Sequence, residues 1–120
     1  MPKIDVVMFI EADGTVPLLN WLDSLPEKAQ DKCIARIERL AAMGYELRRP
    51  EADYLRDGIY ELRVALQGIQ YRILYFFSEK QAVMSHGLIK ESKVPLKKID
   101  LAIERGVRFS ANCLIHTYSE

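Results

Sequence analysis

The sequence predicts one α+β domain in the order βααβββα, an antiparallel sheet packed against a helical hairpin and closed by a C-terminal helix. Three observations predict it. Three consecutive runs between residues 59 and 90 are rich in β-branched and aromatic residues that alternate with period two, and short breaks separate them. Upstream, between residues 15 and 43, apolar residues recur at helical spacing instead. A chain of 120 residues suits one compact unit with its own core. We place that unit at residues 1–106 and leave 107–120 as a C-terminal tail of unknown role.

Ile4 to Ile10 is β-branched and apolar and opens the chain as a strand. Ala12-Asp13-Gly14 supplies a turn, and Thr15 is placed to cap a short helix reaching Leu25. Leu18, Leu19, Trp21, Leu22 and Leu25 form its buried stripe, which makes Trp21 a core residue rather than a ligand platform. Ser24-Leu25-Pro26-Glu27 has the form of a capping box, with Ser24 as N-cap of a second helix. That helix presents Ala29, Cys33, Ile37, Leu40 and Ala41 on one face and stops at Gly44.

Residues 45–58 read as a polar connection ending in the turn Asp57-Gly58. Strands follow at Ile59–Leu66, Gln70–Phe77 and Gln81–Lys90, joined by loops short enough for hairpins. Pro95 opens the last helix, with Leu96, Ile99, Ala102 and Ile103 inward and Gly106 near its end.

The first residues, Met1-Pro2-Lys3-Ile4-Asp5, lack the apolar stretch of a signal peptide, and no apolar run approaches the ~20 residues of a bilayer span. The expectation is a soluble, cytoplasmic protein with no membrane contact. Cys33 and Cys113 show no ligand spacing and read as ordinary thiols of a reducing compartment. Net charge is zero, which argues against general coating of nucleic acid. Residues 56–98 are nonetheless +4, which fits local handling of phosphate.

Alternation sorts that charge. With the apolar sets Tyr60, Leu62, Val64 and Tyr71, Ile73, Tyr75 against the helices, Arg63, Arg72, His86 and Lys90 share the other face, beside Glu61, and Lys93 follows in the loop. On the third strand this assigns Met84 to the face of His86 and places Val83 and Ser85 opposite. Such a cluster meets the needs of metal-free RNA cleavage. When a 2′-hydroxyl attacks its neighbouring phosphate, arginine and lysine stabilise the charge on the non-bridging oxygens. A base and an acid must move protons, and an unperturbed histidine suits either task. Pattern alone equally allows Arg63 and Arg72 to be ion-pair partners of Glu61, His86 to be a structural histidine, and the lysines to be solvated surface. His86 and His116 form no metal constellation and no nucleotide or hydrolase motif occurs, so neither metal nor cofactor is expected.

Four segments carry a resemblance. Leu22-Asp23-Ser24-Leu25-Pro26, the run Leu55 to Arg63 (LRDGIYELR), the run Gln70 to Phe77 (QYRILYFF) and the run His86 to Pro95 (HGLIKESKVP) resemble, in order and spacing, the phage-derived HigB-type toxins of the RelE/ParE superfamily. The likeness spans roughly residues 4–106. It implies a RelE-like fold that carries RNA on the open face of its sheet. It also implies a toxin of a type II toxin–antitoxin system, a ribosome-dependent endoribonuclease (mRNA interferase) that cuts messenger RNA without a metal. The implied partners are a helix-turn-helix, HigA-like antitoxin, the ribosome with its message, and operator DNA only through the antitoxin. Carried over by position, Arg63 and Arg72 fall where the superfamily contacts the scissile phosphate, and Lys90 and Lys93 fall in its RNA-binding segment. His86 and Glu61 are the candidates for proton transfer. The chain departs from the pattern at Leu88, where the family has an aromatic, at Glu91, where it has a lysine, and in having no tyrosine soon after Lys93. These departures keep open an alternative, a catalytically silent homologue acting as a binding module in an antitoxin–DNA repressor complex.

Overall fold

The computed structural model describes residues 3–118. Its elements are β1 (Asp5–Met8), α1 (Pro17–Asp23), α2 (Glu27–Met43), a single 3₁₀ turn (Gly44–Glu46), β2 (Ala52–Arg56), β3 (Ile59–Leu66), β4 (Ile69–Ser78), β5 (Gln81–Lys90), α3 (Leu96–Ala111) and α4 (Cys113–His116). The protein is α+β, with one five-stranded sheet in the order β1-β5-β4-β3-β2. Strands β2 to β5 form an antiparallel meander, and β1 lies parallel to β5, so the sheet is mixed rather than wholly antiparallel. No helix among the described residues is long and apolar enough to cross a membrane.

Local chemistry explains the meander. Its first two connections are two-residue turns with both residues at positive φ, Asp57-Gly58 (50° and 84°) and Gln67-Gly68 (52° and 81°). That geometry matches the right-handed twist of paired strands, and glycine adopts it without steric cost.

Several boundaries differ from the sequence expectation. The segment read as a polar connection contains β2, whose only buried residue is Ala52; an edge strand with charged positions carries little apolar alternation to reveal it. Thr15 does not cap α1, which starts at Pro17 after Val16, and the Thr15 amide instead donates to Asp13. Ser24 does not cap α2. It closes α1, its hydroxyl donating to the Trp21 carbonyl at 2.6 Å, and Pro26 takes the N-cap position of α2. Gly106 does not stop α3, because a helical glycine over the Phe76 ring breaks nothing, and the helix continues far enough to bury Phe109. Leu96 is exposed rather than inward. The residues beyond 106 finish α3, form α4 and return along β1. There Thr117 bridges Phe9 in antiparallel sense, and the Tyr118 amide donates to the Met8 carbonyl. They cover the outer edge of β1, an edge otherwise open to pairing. Residues 119 and 120 of the expected tail, like Met1 and Pro2, lie outside the described residues.

The core is divided by the sheet. On one face α1 and α2 bury Leu18, Leu22, Ala29, Cys33 and Leu40 against Leu62, Val64, Tyr71, Ile73, Tyr75 and Met84. On the other, α3 packs Ile99, Ala102 and Phe109 against Ile59, Leu74, Phe76, Val83 and Leu88. The expected alternation on β5 breaks between these sets. Leu74 opposes His86 while Tyr75 opposes Met84, so Ser85 is an extra residue, a bulge. The bulge shifts the strand's phase by one, which places Met84 with α1 and α2, and Val83 on the α3 face together with His86.

Trp21 is a packing residue, its ring edge-on to Tyr71 at 6.2 Å and pressed against Gly87. A Cβ at position 87 would lie 2.1 Å from Trp21 Cε3. Gly87→Ala must therefore push the indole, and with it α1, off the sheet, at a cost of about 1–3 kcal/mol. A lowered urea midpoint with an unchanged slope is the expected result; an unchanged midpoint would show that α1 yields freely.

Candidate functional site

The site grows from three rungs across β3, β4 and β5. Arg63 stands directly opposite Arg72, which stands opposite Leu88. One rung further, Glu61 opposes Leu74, which opposes His86; in the other direction Lys90 opposes Gln70. Glu61, Arg63, Arg72, His86 and Lys90 thus share the sheet face that also carries α3. Lys93 is exposed in the loop between β5 and α3, on a cleft with Ile89, Glu91, Ser92 and Pro95, and Ile89 belongs to the opposite sheet face, so the fold does not join Lys93 to the cluster.

This face is not open, as the resemblance implied. Helix α3 crosses it and adds a second core, so Arg72 is only 2% exposed, Glu61 4% and His86 6%. Arg72 Nε lies 3.3 Å from Glu61 Oε1, misaligned for a hydrogen bond, and neither atom has another partner among the described residues. Its Nη1 donates to the Tyr71 carbonyl at 2.9 Å. Burial pushes the Arg72 guanidinium below the ordinary arginine range, Glu61 opposes that shift, and neighbouring Arg63 adds to it. Arg63 Nε is 3.8 Å from Glu61 Oε2, and its side chain remains 31% exposed. Like charges directly opposite on neighbouring strands are unfavourable, and the shared carboxylate offsets this. What reaches solvent on this face is Arg63 with Lys90, above Arg72 and Glu61, while Lys93 lies beyond them in the loop.

His86 is held differently. Its Nδ1 lies 2.7 Å from Ser85 Oγ and 3.3 Å from Arg105 Nη1. Arginine only donates, so Nδ1 accepts and the ring proton belongs on Nε2, which is buried without a partner among the described residues. Burial, with Arg105 and Lys98 adding to it, lowers the His86 pKa to about 4. The imidazole is therefore neutral at physiological pH and poorly suited to act as a general acid.

Sequence reasoning missed the group that fixes His86. Glu11, just past β1, accepts from Arg105 Nη2 at 2.9 Å and Arg108 Nη1 at 2.8 Å, and both guanidiniums lie over the Phe9 ring. Arg108 foremost, then Arg105, holds the Glu11 carboxyl below the usual range against the effect of burial. Phe9 stacks on His116, whose Nδ1 lies 2.8 Å from the Ile10 carbonyl. One signal was available: Arg105 follows Ile99 and Ala102 on the buried face of α3, and a charge there needs a partner.

Both cysteines are free; burial in the core raises the Cys33 thiol to about 11, which leaves it unreactive. Among the described residues no group of three or more His, Cys, Asp or Glu is placed to hold a metal ion.

In comparison with known proteins, the family model described as "Phage derived protein Gp49-like (DUF891)" matches residues 20–106. That span runs from α1 through the first two-thirds of α3 and contains every candidate residue named above. No curated protein matches the chain.

Proposed function

The chain belongs to the phage-derived Gp49-like family, within the RelE/ParE-like toxin superfamily, and from that premise we propose that it is the toxin of a type II toxin–antitoxin pair that cleaves ribosome-bound messenger RNA without a metal. We read the sheet with its flanking helices as a RelE-like fold of the HigB branch, and the antitoxin as a helix-turn-helix, HigA-like protein that also links the complex to operator DNA.

The observation that carries this reading is the cross-strand pair Arg63 and Arg72 with one carboxylate between them, one rung from Lys90 on the same face. Two arginines share that single carboxylate, so the cluster keeps a net positive charge, which suits it to hold a phosphate. In the proposed reaction Arg63 contacts the scissile phosphate, and Lys90 and Lys93 hold the strand. Arg72 adds positive potential from beneath, and Glu61 orients both arginines. As the 2′-oxygen bonds to phosphorus and the P–O5′ bond breaks, leaving a 2′,3′-cyclic phosphate and a 5′-hydroxyl, the charge on the phosphate is met by donors already in place; solvent takes the 2′-proton and supplies the one for the 5′-oxygen. His86 enters as a neutral group that shapes the face rather than as a proton donor.

Induced expression in a bacterial host, with mapping of messenger RNA ends, tests this. Translation arrest with new cuts inside translated frames is expected. Arg63→Ala should lower cleavage roughly a hundredfold, the loss typical of removing one transition-state donor, because its partly exposed side chain contributes little to the fold. A folded Arg63→Ala variant that cuts as well as the wild type overturns the site. The burial of both proton-transfer candidates, Glu61 and His86, favours a second reading, a silent homologue acting within an antitoxin–DNA complex. Soluble expression with normal growth and intact messages would establish it.

A further inference from the structure

A second cationic group lies around the edge of the same sheet. Pairing between β2 and β3 ends at Ala52 and Leu62, so the last residues of β3 have no strand beside them on that side. Two α2 side chains reach this edge. Lys32 Nζ donates to the Ala65 carbonyl at 2.9 Å, and the Arg36 guanidinium donates to the Arg63 carbonyl. The periods agree, because four helical residues rise about 6 Å and two strand residues about 6.7 Å. Edge capping uses only part of this chemistry, since a lysine has three donors and an arginine five.

The remaining donors border a cleft of about 390 Å³ between α2 and β3, lined by Lys32, Arg36, Arg63, Glu51 and Gln70 among others. Its one acid, Glu51, is bound by Arg39, outside the lining, at 2.8 Å and lies 3.8 Å from Arg36 within it. Three cations therefore face the cleft against one carboxylate, which Arg39 holds more closely than Arg36 does. Arg63 belongs both to this cleft and to the face described above, so the two cationic surfaces are continuous around the sheet edge.

We infer that this cleft binds a phosphodiester of the substrate RNA strand next to the one at Arg63, so that the strand leaves the sheet face over the β3 edge and onto α2. The inference rests on the RNA-cleavage reading. A polymer of regularly repeated charge is the ligand that engages two adjoining cationic surfaces at once.

The test is binding of a single-stranded 2′-O-methyl RNA oligonucleotide, which lacks the attacking hydroxyl, to the full chain by fluorescence anisotropy across a salt series. Lys32→Gln/Arg36→Gln keeps donors for both carbonyls and removes the charge. It should weaken binding about tenfold and reduce the salt slope by at least ~0.7, the share of one phosphate on a single strand. Lys32→Arg/Arg36→Lys should bind as the wild type does. If the glutamine variant, with an unchanged urea midpoint, keeps wild-type affinity and slope while Arg63→Ala loses affinity, the cleft only caps the strand edge and the RNA reading stands. If the glutamine variant keeps oligonucleotide affinity but loses binding to vacant ribosomes, the assignment to the substrate strand is overturned. A wild type that binds no oligonucleotide at low salt overturns the inference; the RNA reading falls with it only if induced expression also leaves messages intact.

Discussion

Arg72→Ala is expected to lower the free energy of unfolding by about 3–5 kcal/mol, the usual result of stranding one member of a buried ion pair. Arg72 and Glu61 are both nearly inaccessible, and the contact between them is 3.3 Å. Without the guanidinium, Glu61 keeps Arg63, at 3.8 Å and partly solvated, as its ion-pair partner. Glu61→Leu/Arg72→Met removes both charges at similar volume and should recover most of the loss, because apolar side chains need no compensation in that position. Urea unfolding of the two variants decides the matter. A single variant within about 0.5 kcal/mol of wild type would mean that the pair is solvated and the face more open than its burial indicates. The result also bears on function. Loss of growth arrest in Arg72→Ala cannot by itself identify a catalytic group, whereas Arg63→Ala, at a partly exposed position, reports on the site more directly.

Acidification should destabilise the protein by about 3 kcal/mol between pH 6.5 and 4, through His86. The sign follows from the direction of the shift. In the unfolded chain the imidazole titrates near its ordinary value of ~6.5, while in the folded protein it stays neutral until about pH 4. Across that window the unfolded state binds the proton and the folded state does not, so stability falls as pH falls, and this loss is complete below about pH 4. The groups facing the ring agree with this: Ser85 from β5 and Arg105 and Lys98 from α3, while Glu11 is occupied by Arg105 and Arg108, and Glu61, on the same rung, by Arg72 and Arg63. Glu11 acts in a lower window, since a carboxyl held below its ordinary value loses its contribution only as pH drops beneath that value. Urea midpoints from pH 7.5 to 4.5 should fall in the wild type and stay nearly flat in His86→Gln. Parallel curves would assign the acid sensitivity to other groups. Under the proposed function, cleavage should show no ascending limb near pH 6.5 due to His86.

Local signals carried the reading of α1, α2 and the three central strands. The paired apolar positions of β3 and β4, and the Asp57-Gly58 and Gln67-Gly68 turns, each act within a few residues, and the sequence displays them directly. They also sufficed to put Arg63, Arg72, Glu61, His86 and Lys90 on one face. For His86 the agreement came despite a wrong phase earlier on β5: the bulge at Ser85 displaces Met84 and Val83 but leaves the positions after it as read. Strand β2 was hidden because a nearly solvated edge strand has little apolar pattern to display.

The period-two pattern of β3, β4 and β5 by itself determined which side chains share a face, because pleating is a property of each short segment. Only the tertiary structure decided that the face is covered. Helix α3 packs on it over Leu74, Phe76, Val83 and Leu88 and is tied by contacts such as Arg105 with Glu11, 94 residues apart in the chain; on that face Arg72, Glu61 and His86 are buried. Accessibility and pKa depend on what packs above a residue, and a segment's own periodicity carries no record of its distant neighbours.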